Sequence, residues 1–262
     1  MVNWGAAAGY KVHDKFSIGG SFGRSKISVN SALTRYLVES FDERTAANRT
    51  TIDGSAGDFF FNLGVIVKPF EKLAVGGIYK KRPRFSLQNS FTILSTDLTE
   101  TTAINFNIPS AFGLGISYRP AEVLTLSFDA MRIKYSDLTD DFAITFVKTE
   151  VAPEDYAVDD GTEIHAGVEY VGFMKSFGYV IRGGVYTDPD SRIQWVGAPD
   201  SPANFNRFQE RAFQRAIFQE GDNDLHLTFG LGMIFQKDFQ VDVAGNLSDG
   251  SDEAVASFVY RF

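Results

Sequence analysis

Residues 253–262 read Glu-Ala-Val-Ala-Ser-Phe-Val-Tyr-Arg-Phe, so that Ala254, Ala256, Phe258, Tyr260 and Phe262 alternate with Glu253, Val255, Ser257, Val259 and Arg261. Period-two alternation defines a β-strand with one aromatic-rich face, because successive side chains leave opposite sides of the pleat. A run of ~10 such residues has the length and period of a strand crossing a bilayer at a tilt.

The same period recurs upstream. Leu225, Leu227, Phe229, Leu231, Met233 and Phe235 alternate, turn at Gln236-Lys237-Asp238 and return through Phe239, Val241, Val243 and Leu247. At the start, Trp4, Ala6, Ala8, Tyr10 and Val12 lead through His13-Asp14-Lys15 into Phe16, Ile18, Gly20 and Phe22. A second hairpin joins Phe59, Phe61, Leu63, Val65 and Val67 to Leu73, Val75, Gly77 and Tyr79. A third joins Ile108, Phe112, Leu114, Ile116 and Tyr118 to Leu124, Leu126, Phe128 and Ala130, and a fourth joins Ile164, Ala166, Val168 and Tyr170 to Tyr179, Ile181, Gly183 and Val185. After Ala130 the apolar positions shift to Met131, Ile133 and Tyr135, which predicts a β-bulge. Polar segments separate the hairpins. Residues 30–57 carry Leu33, Tyr36, Leu37 and Phe41 at helix-like spacing, predicting a long loop with a short amphipathic helix. Residues 88–105 are rich in Ser, Thr and Asn, residues 137–160 are acidic, and 187–223 form the longest connection.

The pattern amounts to about eleven spanning strands whose connections alternate between tight turns and long polar loops, the asymmetry of an outer-membrane barrel. The predicted fold is all-β: one antiparallel up-and-down transmembrane β-barrel domain over residues 1–262, with the tight turns periplasmic. An odd count predicts that at least one strand is missing at the N-terminus, since bacterial single-chain barrels have even numbers. With eleven, the first and last strands run in the same direction. Residues 1–12 could then cover the last strand's free edge only in parallel.

Composition agrees. The chain holds 44% hydrophobic and 14% aromatic residues, with 25 Phe against 10 Tyr and 2 Trp. No apolar run reaches the ~18 residues of a transmembrane helix, residues 59–67 being broken by Asn62 and Gly64. A mean hydropathy of -0.10 is what results when half of each spanning strand faces water. A net charge of -8 argues against a nucleic-acid partner. There is no Cys, hence no disulfide or thiolate site. The chain begins directly in strand-like sequence, so either a signal peptide has been removed or the chain is a fragment. His13, His165 and His226 have no second metal ligand at suitable spacing, and Gly113-x-Gly115 and Gly230-x-Gly232 sit inside strands rather than in phosphate loops. Residues 248–253 are acidic without the calcium-loop pattern. No enzyme, cofactor or metal is predicted.

Alternation alone would also suit a soluble sandwich or barrel. Three features turn the apolar face outward to lipid. Tyr10, Tyr118, Tyr170, Tyr179 and Tyr260 fall at the tight-turn ends, as an interfacial girdle does. The other face carries Asp129, Glu163, His165, Glu169, Arg182, Asp242 and Arg261 among Gly and Ser, as a hydrated lumen does. And eleven or more strands closed around an apolar interior leave a hole too wide for side chains to fill.

Residues 107–130, Asn-Ile-Pro-Ser-Ala-Phe-Gly-Leu-Gly-Ile-Ser-Tyr-Arg-Pro-Ala-Glu-Val-Leu-Thr-Leu-Ser-Phe-Asp-Ala, resemble a hairpin of the FadL/TodX family of outer-membrane transporters. Phe60-Phe-Asn-Leu-Gly-Val-Ile-Val-Lys-Pro with Leu73-Ala-Val-Gly-Gly-Ile-Tyr is similar to the hairpin before it, and residues 225–262 resemble the closing strands. The resemblance implies a 14-stranded barrel with an N-terminal hatch, of which this chain holds roughly the last eleven strands; the hatch, its Asn-Pro-Ala motif and the kinked early strand have no counterpart. It implies passive passage of long-chain fatty acids or other hydrophobic small molecules across the bacterial outer membrane. The alternatives are a polar-solute porin or a structural or adhesive barrel. By family order, the segments 30–57 and 88–105 would form an external groove, with Leu33, Tyr36, Leu37 and Phe41 meeting the apolar ligand. Lys80, Arg82 and Arg84 are candidate lumen contacts for a ligand carboxylate, set against a strand end solvated near the lipopolysaccharide surface or paired to lumen acids, and His165 with Arg182 are a second candidate, set against a structural ion-pair network with Glu163 and Glu169. The implied partners are an apolar ligand, outer-membrane lipid and lipopolysaccharide, and the barrel-assembly machinery through Tyr260 and Phe262, with the protein a monomer.

Overall fold

A computed structural model of the chain describes residues 1–38, 44–140, 155–197, 211–212, 214–235 and 238–260. In chain order the strands are β1 (Val2–His13), β2 (Phe16–Val38), β3 (Arg44–Phe70), β4 (Leu73–Lys81), β5 (Arg84–Ile93), β6 (Leu98–Asn107), β7 (Ala111–Ala121), β8 (Leu124–Ile133), β9 (Tyr156–Ala157), β10 (Gly161–Phe173), β11 (Phe177–Asp188), β12 (Gln194–Trp195), β13 (Asp224–Phe235), β14 (Phe239–Leu247) and β15 (Glu253–Tyr260). Eleven form one antiparallel up-and-down path, β1-β2-β3-β4-β7-β8-β10-β11-β13-β14-β15. This is the eleven-stranded wall that the alternation predicts.

Register carries the apolar face from strand to strand. Tyr10 pairs with Ile18 and Ile18 with Val65; Ile116 pairs with Phe128 and Phe128 with Ala166; Ile181 pairs with Leu231 and Leu231 with Val243. Leu114, Leu231 and Phe258, among others on this face, are more than half exposed. In lipid such exposure is stable where the backbone groups are bonded within the sheet, as they are for the strands that have a neighbour on both sides, between β1 and β15. Aromatic rings crowd the tight-turn end, with Tyr170 and Tyr179 at 6.3 Å and Phe177 and Phe235 at 5.9 Å between centroids. The turns there are stitched sideways: Lys15 Nζ donates to the Pro69 carbonyl at 3.2 Å, and Lys72 Nζ to the Pro120 carbonyl at 3.0 Å.

Three expectations are overturned. Residues 30–38 and 44–57 are not a loop carrying a helix; they continue β2 and β3 as a paired ribbon, Leu33 opposite Thr50 and Tyr36 opposite Ala46. Residues 88–105 are a hairpin rather than a loop, β5 pairing with both β3 and β6. Alternation marks it in retrospect, since Phe85, Leu87, Asn89 and Phe91 are all buried. No bulge follows Ala130: β8 holds register to Ile133 against both neighbours, so Met131 and Ile133 face inward. Among the described residues β1 pairs only with β2 and β15 only with β14, and no parallel seam joins them.

At the loop end, the 3-10 turn Tyr135–Leu138 pins the rim. Asp137 is buried, accepts from the Ser110 backbone N–H at 3.1 Å and lies 3.3 Å from Lys134 Nζ and 3.6 Å from the Arg84 guanidinium. Burial pushes its carboxyl up, but the Ser110 N–H, Lys134 and Arg84 outweigh that and hold it below the ordinary carboxylate value. Beyond the rim, β9 and β12 form a small sheet whose Tyr156 meets Trp195 and Phe218 edge-on, at 5.2 and 5.0 Å between centroids.

Candidate functional site

The inward face divides into two tracts. Across β1 to β8 it is floored by glycine: Gly9 pairs with Gly19, Gly19 with Gly64, and Gly76 with Gly115. With few side chains rising from the floor, a trough of about 800 Å³ is left, walled by Ile66, Ile78 and Met131, with Lys11, Ser17, Ser117, Ser127 and Asp129 also on its lining. Lys80 follows Ile78 two residues toward the rim, its Nζ 3.8 Å from Met131 Sδ.

Across β8 to β14 the same face is a ladder of polar side chains. His165 Nδ1 lies 2.9 Å from Asp129 Oδ1. The His165 and Tyr186 rings are 5.3 Å apart, and Tyr186 stacks on His226 at 4.2 Å with planes 7° apart. Asn246 closes the row, its Nδ2 donating to the Tyr186 hydroxyl at 3.2 Å. Nearer the tight turns, Arg182 donates through Nε to Glu169 at 2.8 Å and through a terminal nitrogen to Asp242 at 3.1 Å. Arg182 reaches past β13 to Asp242 because its register partner there is Gly230, which has no side chain to intervene. A second cavity of about 580 Å³ lies against this ladder.

Of the carboxylate contacts predicted from sequence, His165 and Arg182 belong to the ladder and are already paired. Arg84 is drawn to the rim, 2.9 Å from Asp140 and 3.6 Å from Asp137. Arg82 lies between β4 and β5, and its backbone N–H approaches Ser110 Oγ at 3.5 Å. Lys80 does not itself line the trough but reaches its wall at Met131, and among the described residues it makes no ion pair within 4.0 Å. Leu33 and Tyr36 are exposed but have opposite parity, so the strand places them on opposite faces of the ribbon. Leu37 continues that strand, and Phe41 lies outside the described residues. Sequence reading missed the trough glycines and Tyr186, His226 and Asn246; inward parity was the signal that could have found them.

An antiparallel wall with an apolar outer band, an aromatic girdle, tight turns at one end and a part-apolar, part-polar inner face is that of an outer-membrane β-barrel channel. The chain belongs to the outer membrane protein transport family (OMPP1/FadL/TodX), whose model matches residues 1–192. Solved structures agree in fold. The CymD monoaromatic hydrocarbon channel superposes with a TM-score of 0.58 at 18% identity, covering 98% of this chain and 72% of its own. The toluene transporter TbuX of Ralstonia pickettii gives 0.56 at 14% identity over 98% and 66%, and TodX of P. putida 0.55 at 15% over 97% and 67%. The chain thus spans between 66% and 72% of the length of these channels. No curated protein sequence matches it. The localisation is the bacterial outer membrane, and the family is one of transport proteins rather than enzymes.

Proposed function

We propose that this chain forms the wall of a passive outer-membrane channel for hydrophobic small molecules, monoaromatic hydrocarbons or long-chain fatty acids. The observation that carries the reading is the glycine-floored trough of ~800 Å³, within the range of small-molecule sites, because Ile66, Ile78 and Met131 give it apolar wall beside the polar Ser17, Ser117, Ser127 and Asp129. An apolar solute entering it leaves water against Ile66, Ile78 and Met131, at roughly 25 cal/mol per Å² of apolar surface covered. Uncharged solutes suit the tract best, since Arg182 and His165 are already paired. A fatty acid would bring its carboxylate to Lys80 at the trough's upper end. Capture at Leu33, Tyr36, Leu37 and Phe41 remains part of the proposal as an outer step.

The test is uptake into liposomes by the full-length protein. Toluene and a labelled fatty acid should enter faster than into protein-free vesicles, and sugars should not. Sugar flux without apolar flux would replace this reading with a polar-solute porin.

A further inference from the structure

The outward face segregates charge in a way that transport does not use. Among the described residues, the outward positions of the eleven spanning strands below the β2–β3 ribbon hold four charged side chains, Arg24, Lys26, Lys81 and Arg132, and all four are cations. The acids of the same strands, Asp129, Glu163, Glu169 and Asp242 among them, face inward. Arg24, Lys81 and Arg132 each stand eight residues beyond the first residue of their strand, Phe16, Leu73 and Leu124. They therefore share one height, ~20 Å above the tight turns for ~3.3 Å per residue on strands tilted ~40°. That is the upper edge of the ~25 Å apolar band, where a cation facing lipid costs far less than at the midplane.

The cations are confined to one sector. The outward positions of β10, β11, β13, β14 and β15 hold none. Arg24 is held at the boundary by its neighbours, with Trp4 and Phe59 as its register partners and its guanidinium 5.7 Å from the Phe59 ring centroid. Arg24 and Lys26 are exposed, and neither they nor Lys81 have a carboxylate partner within 4.0 Å among the described residues; Arg132 has Asp160 at 4.0 Å.

We propose that this outward row on β2, β4 and β8 is a docking site for phosphate-bearing headgroups of outer-leaflet lipid. A single-sign row level with the headgroups, in which Arg132 alone has an acid within 4.0 Å among the described residues, is complementary to phosphate; Arg24 and Arg132 supply planar forks for its oxygens, and Lys26 and Lys81 supply point charges. The site lies outside the channel and is independent of the solute that the channel carries.

Trp4 reports on it directly. The full-length protein, with every other tryptophan replaced by Phe, is reconstituted in phosphatidylcholine vesicles doped with acyl-brominated phosphatidylglycerol or equally brominated phosphatidylcholine. The anionic lipid should quench Trp4 more strongly at equal mole fraction, its enrichment amounting to about fivefold per cation engaged. Arg24→Gln with Lys26→Gln should abolish most of that preference and Arg24→Lys should keep it, while added NaCl should weaken it in the unaltered protein. Inorganic phosphate should do no more than NaCl at equal ionic strength. Equal quenching by the two lipids, a preference indifferent to salt, one that survives the Gln pair, or selective displacement by inorganic phosphate would each overturn the assignment.

Discussion

Gly76→Phe fills the trough from its floor. A Cβ built at Gly76 meets nothing closer than the Val65 carbonyl oxygen at 3.6 Å, so the strand accepts a side chain there without moving its backbone. The new ring enters the space beside Ile66 and Ile78, where a solute would run. A Phe side chain covers roughly 150–250 Å² of surface. At ~25 cal/mol per Å² this is roughly 4–6 kcal/mol of apolar contact that a solute could otherwise make. If the ring takes only a quarter of the solute's contact, binding in the tract weakens by about 1.4 kcal/mol, a factor of ten. Apolar-solute uptake into liposomes, measured with solute below saturation, should fall about tenfold. The paired control is Gly230→Phe in the polar tract, where the nearest atom to a built Cβ is Arg182 Cβ at 3.6 Å; apolar uptake should hardly change. Both variants should keep heat-modifiable migration, since an aromatic residue suits a strand interior better than Gly. Unchanged apolar uptake in folded Gly76→Phe would refute the trough as the route.

Lys80→Met should slow uptake of a fatty-acid carboxylate several-fold while leaving toluene uptake alone; equal effects on both would remove Lys80 from carboxylate recognition. Arg182→Leu should raise the cation-over-anion permeability ratio, read as a reversal potential in planar bilayers, because Glu169 and Asp242 lose their counter-charge, while stability changes by under ~1 kcal/mol for so exposed a pair. The rim clamp should be acid-labile. Asp137 has a lowered folded-state pKa, so its contribution is present above its unfolded value near ~3.9 and is lost as pH falls through the lower folded value. Hydrogen exchange at the Ser110 amide, compared at matched chemical exchange rate, should therefore accelerate below pH ~4, and Asp137→Asn should show the faster exchange already at neutral pH. Leu33→Asp with Leu37→Asp should weaken fatty-acid capture by the intact protein, and unchanged affinity would remove the outer step.

The spanning wall was legible because lipid and lumen impose opposite demands on alternate residues. Leu225 to Phe235 reads as a strand from its side chains alone, and its structure is that strand. Outside the membrane the demand lapses. In residues 30–36 side chains of both parities are mostly exposed, and the chance spacing of Leu33, Tyr36 and Leu37 in the sequence imitates a helix. Pairing with β3 decides instead, extending β2 to 23 residues. The Ser/Thr-rich β6 hides its strand in the same way, its Thr99 and Thr101 reaching Thr92 and Ser90 across the hairpin at 2.9 and 3.1 Å.

The inward face was legible in composition but not in arrangement, and glycine is the reason. A glycine within a strand ordinarily reads as weakness, yet here it sets what its neighbours can do. At Gly232 a Cβ would stand 2.5 Å from Asp242 Oδ1, in the place of the carboxylate that Arg182 engages. Gly64 and Gly76, whose built Cβ atoms meet only carbonyl oxygens at 3.6 Å, border open space instead. Glycines at one parity therefore serve opposite ends, admitting a salt bridge in the polar tract and a solute in the apolar one. Only register, which places each glycine beside Arg182 and Asp242 or beside other glycines, tells the two apart.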